Sequence, residues 1–479
     1  MPPVAPRFRT DETGAVLVLW GLAFGVFLGL VALTFDLGRL SITQTELQSY
    51  ADSVALAAAG ELDGGDGAIA RATAAAAAAI ADSQTFGTGA QALSSADYTL
   101  HFRQTLSATT DTTDDSRAAY VRVVIATRSV GLPFAAAFAA VTGQDAPGNT
   151  TNAVAVAGMT QYACEVVALM FCLPSAAYKA DDNIGHMIKL RDAKGTGAWG
   201  PGDFGFVDPP AIGQTSGPCV GLKGGPYNRC MIGAIGAVPQ CYALPGVDMQ
   251  PGQKVGSEEA AFNTRFDLYL SSMSQNKTDP AYAPAPNVIK GVIPQGKGQT
   301  CVGTNSQVSN TKKLPRDDCS GSSCDRFGDG VWTTGRAAYV AANYGATDPH
   351  SGARTRFEYY MAEIAAHGGG ASKTAILSGV GLDGKDRAET GRPQCSSYQS
   401  SDPRRRVVIA AGIDCTANPV QGAASKVPVH EYVQIFLTEP VVSDSSNFEI
   451  WGEVVGSAGG AGGAGGDAGI FHDVVQLYR

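Results

Sequence analysis

Gly14–Phe35 reads GAVLVLWGLAFGVFLGLVALTF, and no charged residue interrupts it. As a helix, about 22 residues at roughly 1.5 Å each cover about 33 Å, the thickness of one bilayer core. The run exceeds the apolar stretch of a signal peptide, and Asp36-Leu37-Gly38-Arg39 follows it in place of a small-residue cleavage site. It is expected to stay attached as a membrane helix over 14–36. A buried core helix is the competing reading, but such helices rarely stay apolar on every face for this length. Within the run Gly21, Gly25 and Gly29 recur at every fourth position, a small-xxx-small stripe where a second helix backbone could approach.

Outward from this span, Arg7 and Arg9 precede it and Arg39 follows it, a slight basic bias that puts residues 1–13 in the cytoplasm. All ten cysteines (Cys164, Cys172, Cys219, Cys230, Cys241, Cys301, Cys319, Cys324, Cys395 and Cys415) lie beyond the span, in chain rich in Gly and Pro. An even count in loop-rich chain suits an oxidising compartment. The bulk of the protein is therefore expected in the periplasm, with these cysteines as candidate disulfide partners. Zinc is the alternative, but only Cys319 and Cys324 are closely spaced, and the six histidines are scattered singly. An extended Cys164–Cys172 segment would part those two sulfurs by about 26 Å, so each needs a partner elsewhere.

After the span, Leu37, Leu40, Leu47, Ala51, Val54 and Ala58 fall at helical spacing, so the helix is expected to continue out of the bilayer. Gly60, Gly64 and Gly65 are stop signals, and Ala68–Ala81 reads as a second helix. Asp97–Gln104 and Ala118–Thr127 read as strands, giving a membrane-proximal helical and β unit over 37–153. From 154 to 479 short β-like runs alternate with loops, and the clearest strands are Arg406–Ile413, Val427–Leu437, Phe448–Val455 and Ile470–Tyr478. The last two flank the Gly-rich stretch 456–469, which reads as the flexible connection of a hairpin. The fold class is α+β: one N-terminal transmembrane helix, then a β-rich, disulfide-stapled region.

The 479 residues are 16% charged and carry a net charge of -9 with no basic stripe, which excludes nucleic acid as a partner. Gly291–Gly298 copies a phosphate-loop spacing but lacks its Ser or Thr, and Gly379, Gly381 and Gly384 copy a dinucleotide spacing with no apolar helix behind it. Both read as ordinary loops. No nucleophile elbow, zinc-protease pair or calcium loop occurs, so no catalytic residue, cofactor or metal is assigned. A membrane-anchored periplasmic enzyme or ligand-binding protein remains the alternative, because a catalytic pair need not be adjacent in sequence.

Arg9–Gly60 resembles the N-terminal segment of TadG-like Flp pilus assembly proteins of the TadE/TadG family. The residues that carry the resemblance are Gly14-Ala15 opening the span, Asp36-Leu-Gly-Arg39 closing it, and Leu47–Ala59 as the Ala-rich helix that follows. It implies a non-catalytic component of Tad pilus assembly in the bacterial inner membrane, supporting adhesion and biofilm formation. Its expected partners are other Tad assembly proteins or pilin subunits. Some relatives carry an Asp-x-Ser-x-Ser metal motif after a buried strand; here Asp318–Ser322 matches the spacing, but the polar TKKLPRD precedes it, so no metal site is expected. Pilin-like relatives place Glu five residues after a cleaved Gly, whereas Leu19 stands there, so prepilin-type cleavage is not expected.

Overall fold

A computed structural model describes residues 13–63, 67–79, 82–143, 149–163, 167, 169–192, 198–207, 217–236, 242–243, 247–249, 257–294, 305–307, 310–371, 374–420, 424–425, 427–443, 448–460 and 471–478. The chain forms two compact units, residues 1–160 with 474–479 and residues 161–473.

In the first unit, helix α1 runs unbroken from Thr13 to Ala59 and α2 from Ala68 to Ala78. Strands β1 (Tyr98–Arg103), β2 (Tyr120–Ile125) and β5 (Val154–Ala163) pair in that order, β1 antiparallel to β2 and β2 antiparallel to β5. Two short strands, β3 (Arg128–Ser129) and β4 (Thr150–Thr151), pair between β2 and β5 and enclose helix α3 (Pro133–Thr142). Strand β2 alternates in burial, and its inward Val121, Val123 and Ile125 pack with Leu47, Tyr50, Val54 and Ala58 of α1 and with Ala72 and Ala76 of α2. Small Ala side chains let the helices lie close to the sheet. The expected stripe on α1 is thus buried from Leu47 onward, while Leu37, placed on it by spacing, is 55% exposed. Where β2 and β5 face each other, a Cβ on Gly158 would come within 2.6 Å of the Tyr120 ring, so only glycine fits.

The sheet of this unit is completed by the C-terminal strand Phe471–Leu477 (β16), which lies beside β5; the Tyr478 N–H donates to Val156 O at 2.8 Å. This corrects the sequence reading. Phe448–Val455 and Ile470–Tyr478 do not form a hairpin, because each finds a longer-range partner whose face it can cover. The final strand accordingly groups with the membrane-proximal unit and not with the 154–479 region.

The second unit contains β6 (Leu169–Cys172), β7 (Met187–Asp192), β8 (Asp203–Phe206), β12 (Val407–Ile413), β13 (Glu431–Leu437) and β15 (Phe448–Gly460). They pair in the order β13-β12-β6-β8-β7-β15, and β15 returns to β13, closing a six-stranded barrel with β14 (Val442–Ser443) attached to β15. Two of its pairings are parallel, β6 with β12 and β7 with β8. Closure removes the open edges that invite aggregation. Leu169, Phe171, Ile188, Leu190, Phe204, Val408, Val433, Ile435, Phe448 and Ile450 fill one core cluster. Strand β15 extends to Gly460, so residues 456–460 of the expected Gly-rich loop are strand; residues 461–469 lie outside the described residues.

Outside the barrel, β9 (Tyr242–Ala243) pairs with the end of β5, and β10 (Val292–Pro294) pairs with β11 (Asn305–Gln307). Helices α4 (Gly224–Gly233) and α5 (Ser257–Asn263) pack together, while α6 (Thr333–Asn343) and α7 (Arg356–Ala366) place Tyr339, Tyr359 and Tyr360 in a cluster with Phe436 of β13. Both faces of β13 are covered, which is why all seven of its residues are buried.

Candidate membrane anchor and helix-packing face

Among the described residues, every position of α1 from Leu17 to Val31 is exposed. Leu17 is 78% exposed, Trp20 69% and Phe27 60%, and no residue of its most apolar 18-residue window is buried. A surface this apolar is unstable in water and matches the hydrocarbon of a bilayer in length. At Gly21, Gly25 and Gly29 an added Cβ would meet no atom within 4 Å. A separation of 18 residues is five turns at about 3.6 residues each, so Gly25 stands in line with Thr43 and Gly29 with Leu47. Thr43 and Leu47 are fully buried in the first unit. The glycine face is therefore the downward continuation of the face that this unit occupies.

Just past the span, the Asp36 carboxylate accepts from the backbone N–H of Phe134 at 3.4 Å and of Ala135 at 2.6 Å. It supplies acceptors that the first turn of α3 lacks, and its charge lies at the positive end of that helix dipole. The Phe35 and Phe134 rings meet edge to face with centroids 5.5 Å apart. Arg39 lies over the Phe86 ring at 4.7 Å, and Glu46 accepts from both the N–H and the hydroxyl of Thr85. Asp36, Arg39 and Glu46, which follow the apolar run, thus each contact a specific group of the first unit.

Residues 14–61 match the family model described as putative Flp pilus-assembly TadE/G-like. The anchor segment is similar to that family over these 48 residues. No curated protein and no solved structure matches the chain. The TadE/G-like segment coincides with α1 and its first turn beyond, where the Gly60 N–H bonds to Leu56 O. The match supports a role in Flp pilus assembly.

Beyond the TadE/G-like segment, three disulfides are described: Cys172–Cys415, Cys219–Cys230 and Cys319–Cys324. Cys395 is also disulfide-bonded, while Cys164, Cys241 and Cys301 lie outside the described residues. The sulfurs of Cys319 and Cys324 approach Asp329, but their bond to each other leaves no thiolate to bind a metal. Asp318 of the metal-like spacing accepts from the backbone N–H of Thr334 at 3.0 Å and of Gly335 at 3.1 Å, capping α6. Those bonds, Thr334 first, hold its carboxyl below the usual carboxylate range. In the dinucleotide-like spacing, the Gly381 N–H bonds to Lys385 O and the Gly384 N–H to Gly381 O, so this is a tight turn. Of the phosphate-like loop, residues 295–298 lie outside the described residues.

Sequence reasoning missed the polar groups buried in the second unit. Arg356 pairs with both Asp317 and Glu453, all three without exposure. The Glu363 carboxylate accepts from the Tyr339 and Tyr344 hydroxyls at 2.6 and 2.7 Å and from the Asn287 amide at 2.6 Å. Lys290 meets Glu389 at 3.0 Å, again buried. Burial pushes Glu363 and Glu453 up from the ordinary glutamate value. Both carboxyls are buried and occupied by fixed partners, Glu363 tying α7 to α6 through Tyr339 and Glu453 tying β15 to α7 through Arg356. No sequence signal pointed to them, because the partners are far apart in the chain.

Proposed function

We propose that this protein is a non-catalytic, inner-membrane-anchored component of Flp pilus assembly that supports adhesion and biofilm formation. Its anchor would span with residues 1–13 in the cytoplasm, and both folded units would stand in the periplasm. The observation that carries the proposal is the TadE/G-like match over 14–61 on a helix that leaves the apolar run without a break and becomes the core helix of the first unit. Such a helix transmits position from the membrane to a folded domain with no hinge between them. The periplasmic placement is supported by the disulfides, which persist in oxidising compartments. Expected partners are other Tad assembly proteins or pilin subunits, met through the glycine face within the membrane or through the exported units.

Deletion of the gene in a strain that makes Flp pili tests the role. Loss of pili, surface adhesion and biofilm is expected, and intact pili would refute it. Orientation is tested separately with a membrane-impermeant thiol reagent on spheroplasts: a cysteine placed at Thr10 should be shielded and one placed at Gly462 labelled.

A further inference from the structure

We propose that α3 is a second membrane-contacting element, lying in the interfacial layer of the leaflet that α1 enters near Phe35. The proposal rests on the reading of α1 as a membrane span. From Ser129 to Gln144 the chain holds no ionisable residue, and α3 itself reads PFAAAFAAVT. A helix apolar on every side has to be covered on every side. Here Phe134 is 46% exposed, and Ala136, Ala137 and Ala140 are exposed as well. Ten residues make about 15 Å of helix, half of a bilayer core, so α3 is too short to span and suits the boundary of headgroup and acyl chain.

Its place along α1 identifies the cover as lipid. Phe134 touches Phe35, the last residue of the apolar run, and Asp36 caps the helix one residue later. The exposed apolar surface of α3 therefore continues that of the span, with no polar residue between the two rings. The paired strands β3 and β4 fix both ends of the excursion, and the Val130 N–H bonds to Asn149 O at 2.6 Å. Asp36 would otherwise be a charge at the edge of hydrocarbon. Two N–H donors and the positive end of the α3 dipole face it there.

The test uses the full-length, non-reduced protein in phosphatidylethanolamine–phosphatidylglycerol nanodiscs, with an environment-sensitive fluorophore on Ala137→Cys and nitroxide lipids as quenchers. Phe27→Cys reports the span and Leu106→Cys supplies an aqueous reference. The expected result is blue-shifted emission at Ala137, quenched most strongly by nitroxides near the headgroup, with Phe27 quenched most strongly by nitroxides deep in the acyl chains. Quenching at Phe27 with reference-like emission at Ala137 would overturn the proposal and leave the span standing. Reference-like emission at both would overturn the span as well. Adding Phe134→Asp to the Ala137 probe should reduce its quenching while circular dichroism stays unchanged. Undiminished quenching would assign the contact to the fluorophore and overturn the proposal.

Discussion

Arg356 and Glu453 form an ion pair with no exposure on either side, Nη1 to Oε2 at 3.0 Å, and Oε1 and Oε2 of the same carboxylate also accept the backbone N–H groups of Phe357 and Arg356. The second amino group of Arg356 reaches Asp317 at 2.5 Å, and its Nε reaches Pro315 O. The first turn of α7 is thereby bolted to β15. Arg356→Met leaves two carboxylates buried without their cation and should cost about 3–5 kcal/mol. Burial already raises the Glu453 carboxyl above 4.5, and Arg356 opposes that rise. Removing Arg356 raises it further, so the variant's native state binds the proton more readily than its unfolded chain does. Its deficit in denaturant melts should therefore shrink as pH falls from neutral toward 4.5. A constant deficit would contradict this assignment.

Cys172 lies opposite Ile413 in the parallel β6 and β12 pair, and its bond to Cys415 joins chain segments 243 residues apart. The double variant Cys172→Ala, Cys415→Ala should lose about 2–5 kcal/mol, the range for a native disulfide in a small secreted domain. Thermal melting without reductant measures it. Equal stability of the variant and the parent would show that barrel closure alone holds these strands.

Asp318 is exposed, so its cap on α6 should be worth about 0.5 kcal/mol, the low end for helix caps. Because its carboxyl is held below 3.8 in the folded state, the contribution is complete above that pH and disappears as pH falls below it. Asp318→Ala should thus be measurably less stable than the parent near neutral pH and converge with it in acid. A gap that widens in acid would reverse the sign.

Gly21, Gly25 and Gly29 exchanged together for Leu preserve the apolarity of α1 while closing the face to another backbone. The triple variant should insert, fold and keep its disulfides, yet lower pilus number in a complementation assay. Normal pili would reject the packing face and leave the wider assembly role in place.

The long helix was legible because its signals are local: an uncharged run, then Leu47, Ala51, Val54 and Ala58 at helical spacing. Strands β1, β2, β12 and β13 were legible for the same reason, as β-branched and apolar runs between turns. The barrel was not, because its closure depends on pairings such as Val433 with Ser457 and Ala411 with Met170, and the latter spans most of the second unit. The hairpin expected of the last two strands failed on the same point. Adjacency in sequence favours pairing entropically, but the inward faces of β15 and β16 were already matched to different cores. Asp36 shows the limit at the anchor. Its position at the end of the span was plain, whereas its role as a cap for a helix about a hundred residues away had no local trace.

Strand β16 has a consequence for biosynthesis. Residues 164–470 separate β5 from the strand that completes its sheet, so β5 emerges from the ribosome long before its neighbour exists. At about 5–20 residues per second, the wait is on the order of 15–60 s. Throughout that interval a nascent chain tethered by α1 presents an unpaired strand edge, open to the same edge of any chain being made beside it. Ribosomes crowded on one message would bring such edges together at the membrane, and because the barrel itself closes only when β15 is made, shortly before β16, the order of synthesis calls for a factor that holds the edge.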